Sequence, residues 1–181
     1  MKTAVIYESH YGSTETYAKW IAEELQADLL KGGQVKAVDL KQYETIVYGG
    51  GLYAGGVNGI SLLTKNFESI QDKSIYLFTV GAADVTDPKN TNNIRSGLGK
   101  VLSPAMQKSI HIYHLRGGIH YSKLSFVHRT MMNMMFKMVR KKPENELRAE
   151  DQMMLDTYGQ DIDFTDRQTI APMIADIRGS V

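Results

Sequence analysis

The chain has 181 residues, of which 43% are hydrophobic and 23% charged, with a formal net charge of +1. This composition is typical of a globular protein and argues against extensive disorder, and the length allows one domain with a full core but not two ordinary ones. The chain contains no cysteine, which excludes disulfides, thiolate metal sites and cysteine nucleophiles. Redox chemistry would therefore require a bound organic cofactor or a metal site without thiolates.

The N-terminus leads directly into an apolar segment and lacks the basic start and cleavage pattern of a signal peptide. No apolar run reaches the roughly 18–20 residues that are needed to span a bilayer. We therefore expect a cytoplasmic protein, with association at a membrane surface as the alternative.

Short apolar segments that predict strands recur along the chain. They lie at 3–8, 35–38, 45–48, 74–80 and 109–115. Segments with the spacing or position of helices alternate with them. These cover 13–27, 60–70, 91–101 and 165–178. Alternating strands and helices, with strands that are continuously apolar, predict a parallel sheet buried on both faces. We therefore predict a single doubly wound α/β domain over residues 1–181.

Ligands of such sheets bind beyond the carboxyl ends of the strands. The first strand is followed by a hydroxyl-rich loop, whose residues are Ser9, His10, Tyr11, Gly12, Ser13 and Thr14. Its hydroxyls and the N–H groups of the following helix can donate to a phosphate, and a glycine lets the backbone turn tightly. The alternative is a simple helix cap, in which Ser13 or Thr14 starts the helix. Spacing alone leaves these two interpretations open.

Two further loops follow the third and fourth strands. The first is rich in glycine and contains Gly50, Gly51, Leu52, Tyr53 and Ala54; the second contains Gly81, Ala82 and Ala83. Glycines allow backbone to lie against a planar ligand, and the Tyr53 ring could stack on it. A flexible loop with a surface tyrosine is the alternative.

Together the three loops resemble those of the flavodoxin family, in which a sequence of the form S/T-x-x-G-x-T binds the FMN phosphate. The resemblance implies a five-stranded parallel sheet of order 2-1-3-4-5 with helices on both faces. It also implies FMN as the cofactor. By position, Ser9–Thr14 would bind the phosphate, and the two later loops would enclose the flavin ring.

A helical insertion at about 119–154, after the fifth strand, has no counterpart in simple flavodoxins. Its first part, 119–142, is basic, lacks acidic residues and centres on a methionine-rich run at 131–138; an acidic stretch follows. One interpretation is a helix that packs Phe126, Met131, Met135 and Met138 onto the domain. The other is a partly exposed helix whose apolar face and basic rim suit a lipophilic ligand, a membrane surface or a second copy of the chain.

The insertion is similar to that of the flavodoxin-like branch that includes menaquinone-dependent protoporphyrinogen oxidase. The similarity lies in a G-x-x-x-Y segment, 117–121, followed by an aromatic, basic and methionine-rich helix. It implies an oxidoreductase that passes electrons from a small organic donor, porphyrinogen-like among the candidates, to a quinone-like acceptor. The flavin would carry the redox chemistry, and His120, Tyr121 and His128 are candidates for proton handling beside it.

A flavodoxin proper, an FMN electron carrier between a reductase and a client enzyme, is the alternative function. Flavodoxins are markedly acidic, whereas this chain is nearly neutral with a basic insertion, so we favour the enzyme narrowly. A regulatory module with a degenerate flavin site is a third hypothesis. We expect a redox partner or small-molecule substrate such as a quinone, membrane contact through 119–142 or a homo-oligomer as candidates, no metal and no nucleic acid.

Overall fold

The computed structural model describes residues 2–53 and 56–180 of the chain, and its centre is a parallel sheet. The strands are β1 (Thr3–Glu8), β2 (Asp28–Lys31), β3 (Thr45–Tyr53), β4 (Gly56–Val57), β5 (Ser74–Gly81) and β6 (Ile110–Arg116). The parallel order is β2-β1-β3-β5-β6, and β4 pairs antiparallel with the end of β3. This confirms the order that was predicted as 2-1-3-4-5, with right-handed crossovers as the expected connection.

Helices cover both faces of the sheet, as predicted. They are α1 (Ser13–Leu25), α2 (Ala37–Leu40), α3 (Ser61–Ile70), α4 (Pro88–Leu98), α5 (Pro104–Ser109) and, near the C-terminus, the last helix at Ala171–Gly179. One core buries Leu63 and Leu98 against the sheet, and the other buries Tyr17 and Ile174. Alternate residues of each strand pack into the two cores, because successive side chains of a strand point to opposite faces.

The predicted second strand at 35–38 is wrong. The chain enters β2 seven residues earlier, because α1 ends at Leu25 and Gln26 adopts a left-handed conformation (φ 50°) that turns the backbone at once. A short 3-10 helix at Gly32–Gln34 follows β2, and the valines of the predicted strand lie at Val35 and within α2. β2 is a mostly exposed edge strand, so it carries little of the hydrophobic signal on which the prediction depended.

The insertion forms a small unit over one edge of the sheet. It contains β7 (Ile119–His120), α6 (Phe126–Val139), α7 (Ala149–Thr157) and β8 (Asp161–Ile162), after which the last helix is α8. β7 and β8 pair antiparallel, so the unit extends past the predicted boundary at 154. Within the part of the chain that the structure describes, no helix is long and apolar enough to cross a membrane.

The interpretation in which α6 packs Phe126, Met131, Met135 and Met138 onto the domain is wrong for Phe126 and Met138, whereas Met131 and Met135 are only partly exposed. Phe126 is 85% exposed and Met138 is 61% exposed, whereas Val139 is buried. The inner face of α6 is formed instead by His128, Phe136 and Val139, which lie at helical spacing on the other side. The helix therefore keeps a largely apolar outer face.

Candidate functional site

The carboxyl ends of β1, β3, β5 and β6 meet beneath the insertion, and a cavity of about 510 Å³ lies between them. Its inner wall comes from the three loops that the sequence singled out. Its outer wall comes from β7, α6 and α7. The position matches the general rule that ligands of doubly wound sheets bind beyond the carboxyl ends of the strands.

The loop after β1 forms one end of the cavity. Tyr11, Ser13 and Thr14 line it, whereas Ser9, His10 and Gly12 do not. Gly12 has φ +106°, a conformation that L-residues rarely adopt, and its N–H donates to Ser9 Oγ at 3.0 Å. Ser9 and Gly12 thus shape the loop.

No side chain caps the N-terminus of α1. Ser13 Oγ accepts a hydrogen bond from the N–H of Gly118, the residue just before the insertion (3.0 Å), and makes no helix cap. Ser13 begins the helix, as the cap interpretation expected, but no side-chain cap is formed there. The first N–H groups of a helix have no partner within the helix, and they favour an anion. The loop accordingly fits a phosphate group.

The glycines of the second loop do not contact the cavity. Gly50 and Gly51 lie within β3 and are buried. A Cβ at Gly50 would stand 2.4 Å from Val57 Cγ1, and one at Gly51 would stand 2.7 Å from the Tyr53 ring. Their role in the structure is to let β4 and Tyr53 pack closely onto β3. Neither glycine lines the cavity, so their contact with a flavin ring stays a prediction.

Leu52 and Tyr53 line the cavity, as do Gly81, Ala82 and Ala83 of the loop after β5. Ala54, the remaining predicted residue, lies outside the described residues. Arg116 at the end of β6 holds the loop after β5, since its Nε–H donates to the Ala82 carbonyl at 3.2 Å. The sequence did not single out Arg116, because a basic residue at a strand end carries no distinctive signal.

An aromatic cluster joins the loops to the insertion. The Tyr53 and His128 rings stack with centroids 5.5 Å apart, and His10 contacts Tyr53 edge-on at 5.0 Å. Tyr11 Oη lies 2.5 Å from His128 Nδ1. Burial raises the pKa of the Tyr53 phenol, so this group stays protonated at neutral pH. Tyr53 therefore combines an apolar face with a hydrogen-bond donor at the cavity wall.

The proton-handling candidates His120, Tyr121 and His128 all line the same cavity. Tyr121 is buried, and burial raises the pKa of its phenol, which makes it a neutral donor. His128 occupies the first turn of α6, behind a Ser125 cap that accepts the His128 N–H at 3.2 Å. The structure brings the three side chains to one cavity but assigns no reaction to them.

Sequence reasoning missed the contribution of α7. Met153 and Met154 line the cavity together with Met131, Met132 and Met135 of α6, which makes this wall strongly apolar. Acidic residues surround the two α7 methionines in the sequence, so no apolar periodicity points to them. A helix of mixed pattern gives no clear periodic signal.

Two carboxylates of α7 also line the cavity. Asp151 pairs with Lys142 Nζ at 2.8 Å, and this hydrogen bond lowers the pKa of its carboxyl group. Glu150 Oε1 is buried and has no hydrogen-bond partner among the described residues. A buried carboxylate oxygen without a donor is costly, so Glu150 is the candidate group to accept a hydrogen bond from a ligand.

Comparison with protein families identifies the type of domain. A family model described as a flavodoxin domain matches residues 4–146. An uncharacterized protein of Methanocaldococcus jannaschii is 39% identical over 56 residues, which are 30% of this chain and 37% of that relative. The chain thus spans little more than a third of that relative's length.

Solved structures with a similar chain course are flavodoxins and flavoproteins. Flavodoxin 1 from Bacillus cereus is 19% identical, with a TM-score of 0.42, over 64% of this chain and 84% of its own. A flavoprotein from Lactobacillus acidophilus, solved in complex with FMN, is 14% identical, with a TM-score of 0.44, over 64% and 91%. A WrbA-like flavodoxin from Agrobacterium tumefaciens is 23% identical, with a TM-score of 0.43, over 54% and 69%.

TM-scores below 0.5 add nothing to the assignment, which depends on the family model and on the strand order of the sheet. The family model covers well over half of the chain, including the loops after β1, β3 and β5. The chain therefore belongs to the flavodoxin family.

Proposed function

We propose that the chain is an FMN-dependent oxidoreductase that passes electrons from a small organic donor to a quinone-like acceptor. Membership of the flavodoxin family supports FMN as the cofactor. The uncapped N-terminus of α1, with Tyr11, Ser13 and Thr14 at the cavity, supplies donors suited to its phosphate. Bound FMN would supply the electron transfer, and the protein would supply position and electrostatics.

The observation that carries the proposal is the second wall of the cavity. The flavin loops form one side, and the methionines of α6 and α7 form the other, so the cavity extends beyond the loops into the insertion. Its volume of about 510 Å³ lies within the range of small-molecule sites, roughly 300–1,000 Å³. A small molecule that lies against the methionines would contact the flavin loops at the same time.

The lining indicates an aromatic or otherwise apolar substrate with a hydrogen-bond donor. Methionine side chains adapt to irregular apolar ligands and contact aromatic rings favourably. Glu150 needs a donor, and an N–H or O–H group of the substrate would supply one. Porphyrinogen-like and hydroquinone-like molecules both combine these features. This part of the proposal agrees with the resemblance to the protoporphyrinogen oxidase branch.

The alternative is an electron carrier of the flavodoxin type. The fold and the loop after β1 suit a carrier equally well. Against it, a carrier exchanges electrons with a large partner protein and has no need of an apolar chamber beside its cofactor. The methionine wall therefore favours the enzyme.

The decisive experiment is to load the purified protein with FMN and reduce it stepwise, with and without a soluble quinone. We expect concerted two-electron reduction, reoxidation by the quinone, and oxidation of a porphyrinogen-type donor. Accumulation of a one-electron reduced spectrum, with fast transfer to a protein client and none to quinone, would establish the carrier instead. A protein that binds no FMN would refute both.

A pair of variants tests whether the methionine wall holds the substrate. Met132→Asp places a charge in the cavity wall, and we expect it to raise the KM for the apolar substrate while FMN stays bound. Met134→Asp is the matched control, because Met134 is 60% exposed and does not line the cavity. Equal effects of the two substitutions would contradict a substrate site at this wall.

A further inference from the structure

The outer face of α6 is an exposed apolar stripe next to the cavity. The stripe consists of Val127, Met131, Met134, Met135 and Met138, with Phe126 at its N-terminal end. Spacings of three and four residues put the members of the stripe on one side of the helix. Phe126, Val127, Met134 and Met138 are each at least 60% exposed, so this face has no partner within the described residues. Single exposed apolar residues are ordinary, but a contiguous group marks an interaction surface.

Cations border this stripe without acidic partners. Lys137, Arg140 and Lys141 make no ion pair in the described part of the chain, whereas the neighbouring Lys142 pairs with Asp151. Lys137 and Lys141 each follow a stripe methionine by three residues, so their ammonium groups flank the apolar face. Residues 119–142 contain no acidic side chain. An apolar face flanked by lysines is the pattern of a helix that lies in the interface of an anionic bilayer.

A second copy of the chain fits this surface less well. A two-fold contact through the stripe would bring each helix against the same segment of its partner. All charged side chains of that segment are cationic, so the lysines and arginines of the two copies would face each other in both parallel and antiparallel arrangements. An anionic lipid surface provides the complementary charge instead.

The stripe is also continuous with the cavity. Met131 and Met135 are partly exposed on the stripe and line the cavity on their inner side. A lipophilic molecule leaving the bilayer would therefore pass from the apolar interior of the membrane to these methionines without crossing water.

We propose that α6 docks the protein on the surface of an anionic membrane, with Phe126, Met134 and Met138 in the interface and Lys137 and Lys141 at the lipid headgroups. With the helix docked, lipid-soluble ligands can reach the cavity from the membrane. The docking itself stands independently of the proposed redox reaction, because it depends only on the outer face of the helix.

Vesicle co-sedimentation of the FMN-loaded 181-residue chain tests the proposal. We expect at least tenfold stronger binding to vesicles of phosphatidylglycerol and phosphatidylcholine than to phosphatidylcholine alone, weakening as salt is raised. Lys137→Glu with Lys141→Glu should lower binding to the anionic vesicles about tenfold or more. Met134→Asp with Met138→Asp should lower it comparably, with unchanged thermal unfolding, because both side chains are exposed.

Val38→Asp is the matched control, because Val38 is an exposed apolar residue of another helix, α2, and its substitution should leave vesicle binding unchanged. Absence of binding to anionic vesicles would overturn the proposal. A stable dimer in sedimentation velocity that Met134→Asp with Met138→Asp disperses would overturn it in favour of a second copy. Binding that survives both double variants would overturn the assignment to α6.

Discussion

The conformation of Gly12 sets the geometry of the loop after β1, and Gly12→Ala should weaken both stability and FMN binding. At φ +106° a Cβ meets no atom within 4 Å, so the cost comes from the backbone conformation alone. L-residues pay about 1–2 kcal/mol in the left-handed region, and this angle lies beyond its usual range. A gain of about 0.4–1 kcal/mol through the unfolded chain offsets part of that. We expect a net loss of about 1 kcal/mol in the free energy of unfolding, measured by urea titration.

Relaxation of the strained backbone would also turn the first N–H groups of α1 away from the phosphate. Loss of one hydrogen bond to a charged group is worth about 1.5–3 kcal/mol, or roughly a tenfold to hundredfold rise in the Kd for FMN. Fluorescence quenching of FMN on titration with protein measures this directly. The variant loop either keeps its geometry at a cost in stability or relaxes and loses contact with the phosphate. The free energy of unfolding, the Kd for FMN, or both must therefore change.

Gly159→Ala is the matched control. Gly159 also has a positive φ (+83°) with nothing within 4 Å of a Cβ, but it follows α7 and does not line the cavity. We expect a similar loss of stability with an unchanged Kd for FMN. Wild-type stability and affinity in Gly12→Ala, or equal loss of FMN binding in both variants, would refute the reasoning.

Other predictions concern buried polar groups. Burial, and secondarily the charge of Arg95, lowers the pKa of His114 to about 4. Between about pH 6.5 and 4 the unfolded chain therefore binds a proton that the folded chain does not, so the free energy of unfolding falls as the pH drops through this range. His114→Gln should flatten this part of the pH profile of the urea midpoint, and an unchanged slope would contradict the prediction. Tyr17→Phe should lower the free energy of unfolding by about 1–3 kcal/mol in urea titration, because its hydroxyl donates to the Arg116 carbonyl (2.7 Å) and accepts the Asp166 N–H (3.1 Å); a neutral result would mean that water replaces both bonds. Glu150→Gln should raise the melting temperature of the substrate-free protein and raise KM, whereas a lower melting temperature would show that Glu150 Oε1 has a partner.

The central strands and the loops at their carboxyl ends were predictable because they carry strong local signals. β1 matches its predicted bounds, and β5 and β6 fall within one residue of theirs. β1 and β5 are mainly apolar runs, and β6 keeps enough apolar residues around His111 and His114 to predict a strand. β2 failed because an exposed edge strand has no such run. The glycines at 49–51 were read as a loop, but they extend β3, where their missing side chains admit Phe78, Val57 and Tyr53.

The insertion was predictable in composition but not in orientation. Its methionines and lysines were evident, yet which methionines face inward depends on the Tyr11–His128 contact and on the stacking of Phe136 on Tyr158 at 4.0 Å. These are contacts between residues far apart in the chain, and periodicity within one helix cannot reveal them. The role of α7 as the second half of the wall depended on the same tertiary arrangement.

The β7–β8 pair has a consequence for how this domain can diversify. Ile119 pairs with Ile162, so the segment between them begins and ends at one place on the scaffold. Lengthening a segment whose ends already meet costs little additional chain entropy, since that cost grows only logarithmically with length. The residues between the two strands can therefore change in length and sequence while the sheet and the loop after β1 stay fixed. A variant in which a shorter segment connects Ile119 to Ile162 should fold and retain the loop after β1.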